Sequence, residues 1–214
     1  MSSPEDYAGP EPLSEINLAA FCALGMQAEL ITGLLRDMLI RRFLDPEFIR
    51  RTPLREILWR ENETTDILIE SHTRWKPELT EKRPGIIIKR NSYRNYRVGI
   101  GDFAGADEQG AERHATFWVG SHTVFCLRES GAAAEQLAAE VRDHLLEFGP
   151  TLLYNLQLQQ YQVQQVGTIG KIDDSRILTY AVPITLGWAY EHAWTVEQES
   201  LPLRRVSLQM LTSF

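Results

Sequence analysis

The fold is decided by the stretch ATFWVGSHTVFCLRES at positions 115–130, which continues through Gly131 into AAAEQLAAEVRDHLLEF at 132–148. In the first segment apolar side chains occupy both odd and even positions, which predicts a strand inside a sheet with both faces covered. In the second segment apolar residues recur at three- and four-residue steps. This spacing predicts an amphipathic helix that packs on the sheet.

The ends and the polar face of this helix follow from the same residues. Ser130 is the expected N-cap, because its hydroxyl can accept a hydrogen bond from an unpaired amide of the first turn. Gly149 and Pro150 predict the end of the helix. The polar residues between the apolar positions are expected to face solvent: Glu135, Glu140, Arg142, Asp143 and His144.

Composition limits the class of protein. The chain has 214 residues, of which 43% are hydrophobic and 24% are charged, so we expect a soluble protein with one core and a smaller helical appendage. No uncharged apolar run approaches the roughly 18 to 20 residues of a membrane span, and the acidic N-terminus is unlike a signal peptide. Cys22 and Cys126 each lie in an apolar segment, which favours buried free thiols over a disulfide or a metal pair.

Charge is distributed unevenly along the chain. The net charge is -7, which argues against broad binding of nucleic acid phosphates. Residues 74–97 nevertheless carry eight basic and two acidic side chains, a local balance of +6. Such polarity is typical of a solvated face, and it also suits a subunit that meets an acidic neighbour on one side.

The chain divides into four parts in order. Residues 1–13 are polar and acidic and are expected to form a mobile N-terminal arm. Residues 14–75 form a helical section in this interpretation, with Asp45 and Thr52 each starting a short helix before a proline. Residues 76–196 form the core, and 197–214 a C-terminal extension whose apolar residues need a covering surface.

The core is expected to be a sheet built from hairpins. The segments 85–90 (GIIIKR) and 96–102 (YRVGIGD) predict two strands joined by NSYRN, and 103–112 (FAGADEQGAE) predicts a flexible loop. Strand-like patterns also occupy 156–170, where Gln162 and Gln164 alternate with apolar residues and predict an uncharged polar face, and 177–190, where the large apolar side chains share one face that is expected to be buried. Pro183 cannot donate to a ladder and therefore predicts an edge or a bulge in the last strand. The predicted fold class is α+β: a mainly antiparallel sheet of about four to five strands with one amphipathic helix packed on it, preceded by N-terminal helices.

Catalytic motifs are missing from the sequence. No phosphate-binding, nucleophile-elbow or zinc-ligand spacing occurs, so no catalytic residue, no metal ligand and no cofactor are predicted. His114 and His122 lie on one face of the same strand but roughly 25 Å apart at about 3.3 Å per residue, too far to share a metal.

The order of the elements carries a resemblance to a known family. It runs from N-terminal helices through RPGIIIKR, YRVGIGD and ATFWVGSHTVFC to an alanine-rich helix ending in FGP, then YQVQQVGTIG and TYAVPITLGWAYEHAWTV. Over about 83–196 this order resembles tailed-bacteriophage neck proteins of the tail-terminator (tail-completion) family. The resemblance implies a non-enzymatic protein of the virion neck, assembled in the host cytoplasm as a hexameric ring. It caps the tail tube, stops its polymerisation and joins tail to head while DNA passes through.

The implied partners are further copies of the chain, the tail tube protein, a head-side connector or neck protein and the sheath, with no specific DNA binding and no membrane. The residues expected at subunit or ring interfaces are Lys89, Arg90, Arg94, Arg97, Gln162, Gln164, Pro183 and Trp194. The acids expected to line the channel and repel DNA are Asp102, Asp107, Glu108 and Glu112. Two alternatives remain open: a head-completion or adaptor ring that contacts the portal, and a small cytoplasmic enzyme with an unrecognised site.

Overall fold

A computed structural model describes residues 27–61, 65–76, 83–97, 102–106, 111–172 and 179–196. Two α-helices occur in these ranges, α1 (Gln27–Leu44) and α2 (Gly131–Asn155), with two single-turn 3-10 helices at Pro46–Phe48 and Thr52–Leu54. The strands are β1 (Leu68–Ser71), β2 (Gly85–Arg90), β3 (Arg94–Tyr96), β4 (Phe103–Ala106), β5 (Glu112–Arg128), β6 (Leu158–Val166), β7 (Gly170–Ile172) and β8 (Thr179–Val196). Among these ranges, no helix combines the length and the apolar content that crossing a membrane requires.

The eight strands form one mixed sheet, and this corrects the predicted fold class. The main order is β1-β2-β5-β8-β6, with β1 parallel to β2 and the other pairs antiparallel. The prediction of helices followed by a sheet of four to five strands was therefore wrong. Local patterns underestimated the strand count because β3, β4 and β7 have only three or four residues each.

The long strand β5 organises half of the sheet. β2, β3 and β4 pair with it one after another: Arg90 lies opposite His122, Arg94 opposite Val119 and Phe103 opposite His114. The predicted hairpin between 85–90 and 96–102 is wrong in its described part: Arg94–Tyr96, most of which the prediction placed in the loop, is β3, and it continues in the same direction as β2 because both pair antiparallel with β5. Residues 98–101 of the predicted second strand lie outside the described residues. The predicted flexible loop is also corrected, since Phe103–Ala106 forms β4.

The other long strand, β8, lies between β5 and β6, so Pro183 is not on an edge. Pro183 lies opposite Phe125 of β5, and its carbonyl accepts a hydrogen bond from the Gly167 amide at 2.7 Å. Gly167 lies in the gap between β6 and β7. The backbone nitrogen of Pro183 faces the same side as its carbonyl, where the neighbouring strand is interrupted between β6 and β7. Because no strand there requires a hydrogen bond from this nitrogen, proline can occupy an interior strand at this position.

One face of the sheet is packed against both helices. The core combines Ile31, Leu35 and Leu39 of α1 with Leu137 and Val141 of α2. The sheet contributes one alternating set of side chains to this core: Ile86, Ile88, Val124, Cys126, Val182, Ile184, Leu186, Trp188 and Tyr190.

The opposite face is less covered than the sequence predicted. Among the described residues it carries one small buried cluster, Ile87, Leu127 and Ala181, with partly buried residues around it. Val119 on the same face is 36% exposed. The prediction that both faces of β5 are covered was wrong, because Ser121 and Thr123 interrupt the apolar pattern on this side.

Helix α2 begins as predicted and ends later. Ser130 is its N-cap and accepts a hydrogen bond from the Ala133 amide. The helix passes through Gly149 and Pro150 and reaches Asn155. An interior proline costs about 3 kcal/mol, whereas burying one leucine side chain contributes roughly 1.5–3 kcal/mol. Since Leu152 and Leu156 are both buried, their burial offsets that cost.

Several predictions fall outside the described residues. They are the N-terminal arm 1–13, the first part of the predicted helix with Cys22, the acids Asp107 and Glu108, and the extension 197–214. Asp45 is confirmed as a cap, because its carboxylate accepts a hydrogen bond from the Glu47 amide at 2.9 Å. Thr52 starts a 3-10 turn whose cap position is Arg51.

Candidate assembly interface

The ends of β5 and β8 extend past β6 as a ribbon. β6 begins opposite Tyr190, and from there Glu191–Val196 of β8 pairs with Glu112–Phe117 of β5. β4 completes the ribbon on the other side of β5. Six residues at about 3.3 Å each make this extension about 20 Å long. We call the extension, formed by β4, 112–117 and 191–196, the arm.

Four rings cluster on one face of the arm. His114 stacks on Trp194 with centroids 5.5 Å apart and an angle of 14°, and Phe103 meets the His114 ring edge-on at 6.0 Å. His192 lies 5.7 Å from Trp194. Phe103 is 56% and Trp194 38% exposed. This group, which we call the aromatic tip, contains one of the predicted interface residues, Trp194.

The predicted basic residues lie beside β5 along one edge of the sheet, beyond the part of β2 that pairs with β1. Lys89 and Arg90 end β2, Arg94 begins β3, and Arg97 follows β3. Arg90 donates to Glu29 at 2.7 Å and lies over the Tyr93 ring. Arg94 lies over the exposed Tyr96 ring at 5.5 Å. Alternation puts Arg90 on the helix side and Arg94 on the other side, so the basic residues share an edge and not one face.

The described acids of the predicted channel lie on the arm or directly beside it. Asp102 precedes β4 in a left-handed backbone conformation, with φ of 57°. Glu112 begins β5 opposite Ala106 and lies 3.5 Å from His114 Nε2. The structure therefore brings Asp102 and Glu112 close to the aromatic tip through the pairing of β4 with β5.

The glutamine strand β6 lies at the opposite edge of the sheet. It pairs with β8 on one side, and its nine residues carry no charge. Gln162 and Gln164 are exposed, as the predicted polar face requires. Register shifts interrupt the pairing between Leu158 and Gln160 and again between Val163 and Gln165. Pro183, on the neighbouring strand, is only partly buried and packs against Gly167.

A buried carboxylate, predicted to face solvent, is the main electrostatic feature of the helical layer. Glu140 is fully buried and binds the guanidinium groups of Arg42, at 2.8 Å, and Arg51, at 3.0 Å. The amides of Arg50 and Arg51 also donate to it. Burial alone would raise the pKa of Glu140, but the hydrogen bonds from Arg50, Arg42 and Arg51 hold the pKa below its ordinary value.

Two buried histidines are also held by specific bonds. The Trp188 indole N–H donates to His122 Nδ1 at 2.8 Å, so the ring proton is on Nε2 and is donated to Thr32 Oγ1, also at 2.8 Å. Burial, and then the charge of Arg90, lower the pKa of His122 to about 4. His144, predicted to lie on the surface, is 3% exposed and bonds the Met38 carbonyl.

Two of these polar groups are enclosed within the core. His122 is neutral and enclosed by Thr32 and Trp188, and burial raises the pKa of the Cys126 thiol. The parts of the chain that the structure describes contain no group of three or more His, Cys, Asp or Glu side chains placed to hold a metal.

Sequence reasoning missed Glu140 and His144, although a signal was present. Positions 137, 140, 144 and 148 continue the helical spacing of the apolar stripe. The prediction that Glu140 and His144 face solvent followed from their polar side chains, although their positions in the helix place them on the buried side. The partners that make burial possible, Arg42 and Met38, lie about a hundred residues earlier and cannot be identified from the helix itself.

An apolar groove lies between the two helices. Its volume is about 320 Å³, and it is lined mainly by Leu34, Met38, Arg41, Phe48, Phe148 and Leu152. Phe48 is 57% exposed and Phe148 is 40% exposed. Apolar side chains therefore remain accessible at both sides of what we call the helix groove.

Neither a protein-family model nor a curated protein sequence matches this chain. The surfaces that the fold exposes are the features that bear on function. Within the described ranges these are the aromatic tip of the arm, the uncharged edge of β6, the basic edge beside β5 and the helix groove.

Proposed function

We propose that the protein is a tail terminator of the tailed-phage neck, which assembles as a hexameric ring on the end of the tail tube, stops its polymerisation and joins tail to head. The observation that carries the proposal is the arm, a ribbon of about 20 Å that projects past β6 with exposed aromatic side chains at its end. Exposed aromatic clusters mark sites where another protein binds.

The edge of β6 supports the same proposal. An exposed strand without charge or proline invites pairing with another chain. The two register shifts in β6 limit unspecific pairing, because they break the regular row of backbone donors and acceptors. A ring subunit needs such an edge to be available to one neighbour and unsuitable for open-ended growth.

The charge distribution supports a layered position in the neck. Arg94 is exposed at the basic edge and suits docking on an acidic neighbouring ring. Asp102, which directly precedes β4 of the arm, would face the DNA channel and repel its phosphates. Since the chain as a whole carries a net charge of -7, DNA would pass without being held.

The test is binding of the purified protein to purified tail tubes, viewed by electron microscopy, and separately to portal rings. The expected result is density at one end of each tube and no binding along its side. The double variant Arg94→Glu/Arg97→Glu should lose end binding and keep its melting temperature. Arg74→Glu, an exposed charge reversal in the turn after β1, should bind as the wild type does.

Different outcomes would contradict different parts of the proposal. Binding to portal and not to tubes would place the ring on the head side, as an adaptor. Equal binding by Arg94→Glu/Arg97→Glu would remove the basic edge from the docking surface. A protein that binds neither structure would contradict the neck function altogether.

A further inference from the structure

We propose that the aromatic tip of one copy docks in the helix groove of the next copy. The inference rests on the proposed ring-forming function, because it states which surfaces join neighbouring subunits. It goes beyond the residues predicted from the sequence, since of the groove and the tip only Trp194 was predicted there to lie at an interface.

The helix groove has the properties of a receiving surface. It is bordered by residues of α1, of the first 3-10 turn and of the second half of α2, represented by Met38, Phe48 and Phe148. Its 320 Å³ lie at the lower end of the range of about 300–1,000 Å³ that is typical of ligand pockets. A groove of this size is suited to a few side chains and not to an extended polypeptide.

The aromatic tip has the properties of an inserting surface. Trp194 and Phe103 are both exposed and are held in place by contacts with the His114 ring. Val196, at the end of β8, is 38% exposed and adds an apolar side chain nearby. Because the rings already pack against one another, little side-chain freedom remains to be lost on docking, and this favours affinity.

Charge complements the apolar match. Arg41 is exposed at the groove and lies in the last turn of α1. Glu112 lies two residues before His114 on β5, and side chains two residues apart in a strand share a face. Glu112 is therefore on the same face of the arm as His114 and its partner Trp194. A carboxylate at the tip thus has a guanidinium available at the receiving surface. Asp37, the acid of the groove, already lies 3.8 Å from Arg36.

The occupant is a second copy because one chain carries both surfaces. The tip lies on strand segments beyond β6, whereas the groove is formed by the helical layer and the turn after α1. A contact between two different surfaces of identical chains is heterologous, and its repetition closes a ring or builds a filament according to the rotation. This is the geometry that the proposed hexamer needs.

Cysteine cross-linking tests the contact directly. The probe is the full chain carrying Trp194→Cys and Phe148→Cys in a Cys22→Ser background, oxidised at concentrations where the wild type is a ring. The expected result is a ladder of disulfide-linked multimers that ends at the ring size. The matched control, Tyr96→Cys with Phe148→Cys, places the thiol on the opposite face of the sheet, because Tyr96 lies opposite Phe117; it should give no ladder.

A second pair of variants measures the contribution of the tip. Trp194→Glu should raise the concentration at which the ring dissociates by roughly tenfold or more, as expected for a central aromatic residue of an interface. Tyr96→Glu, which introduces the same charge on the other face, should leave it unchanged. Equal effects of the two variants, or rings that remain intact with Trp194→Glu, would overturn the inference.

The outcomes separate this inference from the proposed function. If the wild type caps tail tubes as a ring but the Trp194→Cys/Phe148→Cys variant gives no ladder, the tip-to-groove contact alone is refuted. A ladder from a protein that ignores tail tubes would support the contact and refute the tail-terminator function. A wild type that stays monomeric even in the presence of tail tubes, together with a double-cysteine variant that gives no ladder, would refute both.

Discussion

Arg42 and Glu140 are 98 residues apart in the chain and form a charged pair inside the helical layer. The Arg42 Nε and Nη2 atoms donate to one carboxylate oxygen of Glu140 at 3.1 and 2.8 Å, while Arg51 Nη1 donates to the other at 3.0 Å. The three residues belong to α1, to the segment after it and to α2. The pair therefore holds together the elements that form the helix groove.

Replacing Glu140 by Gln should destabilise the protein by about 3 kcal/mol, because removing one partner of a buried ion pair leaves the other charge uncompensated. Arg42 would be affected most, since only 10% of its side chain is exposed. The measurement is urea unfolding at pH 7, in which the midpoint should fall while the slope stays constant.

The matched control for this variant is Glu29→Gln. Glu29 also binds an arginine, Arg90, but both side chains are about 40% exposed. Exposed ion pairs contribute less than about 1 kcal/mol. If Glu140→Gln were no more destabilising than Glu29→Gln, the buried pair would have no special role in stability.

Acid should weaken the fold through His122. Its pKa is lowered to about 4 in the folded protein, against an ordinary value of 6.5, because of burial and the charge of Arg90. Below pH 6.5 the unfolded chain therefore binds a proton that the folded chain excludes, so stability decreases as the pH falls towards 4. Between pH 7 and pH 5 this group alone should cost about 2 kcal/mol.

The comparison of wild type with His122→Gln isolates this effect. The variant is expected to be less stable at pH 7, because the bonds with Thr32 and Trp188 change, but its stability should vary less between pH 7 and pH 5. Burial also lowers the pKa of His144. Because His144 is present in both proteins, its contribution cancels when their pH-dependent stabilities are compared. Parallel pH curves for the two proteins would show that His122 is not the titrating group.

Two glycines should respond in opposite ways to alanine. A Cβ at Gly120 would lie 2.5 Å from the Trp188 ring and 2.6 Å from Tyr93 Cβ, so Gly120→Ala should destabilise by roughly 1–3 kcal/mol through overpacking. A Cβ at Gly33, in α1, would meet nothing within 4 Å. Gly33→Ala should therefore stabilise by roughly 0.5–1 kcal/mol through helix propensity. Thermal unfolding of both variants checks the signs, and a stabilising Gly120→Ala would contradict the packing described around Trp188.

The sequence was sufficient for features that depend on neighbouring residues. The β5 strand, the start of α2 at Ser130 and the large buried face of β8 all follow from spacing within one segment. The exposed glutamines of β6 follow from alternation in the same way. Local spacing is reliable here because each element buries one continuous stripe or face.

The remaining features depend on partners far along the chain. A hairpin between 85–90 and 96–102 was a reasonable local prediction, but β2 and β3 both pair with β5, which is long enough to accept three partners in succession. Pro183 can occupy an interior strand only because the neighbouring strand is interrupted at Gly167. The arm could not be predicted, because its length depends on which residue of β8 lies opposite the start of β6. That register is set by pairing between distant segments.

The ring itself is tested most directly by light scattering of the purified protein over a range of concentrations, with and without tail tubes. The account predicts a hexamer, or a monomer that forms a ring only on tube ends. A monomer whose mass stays constant with concentration and that leaves tube ends bare would contradict it.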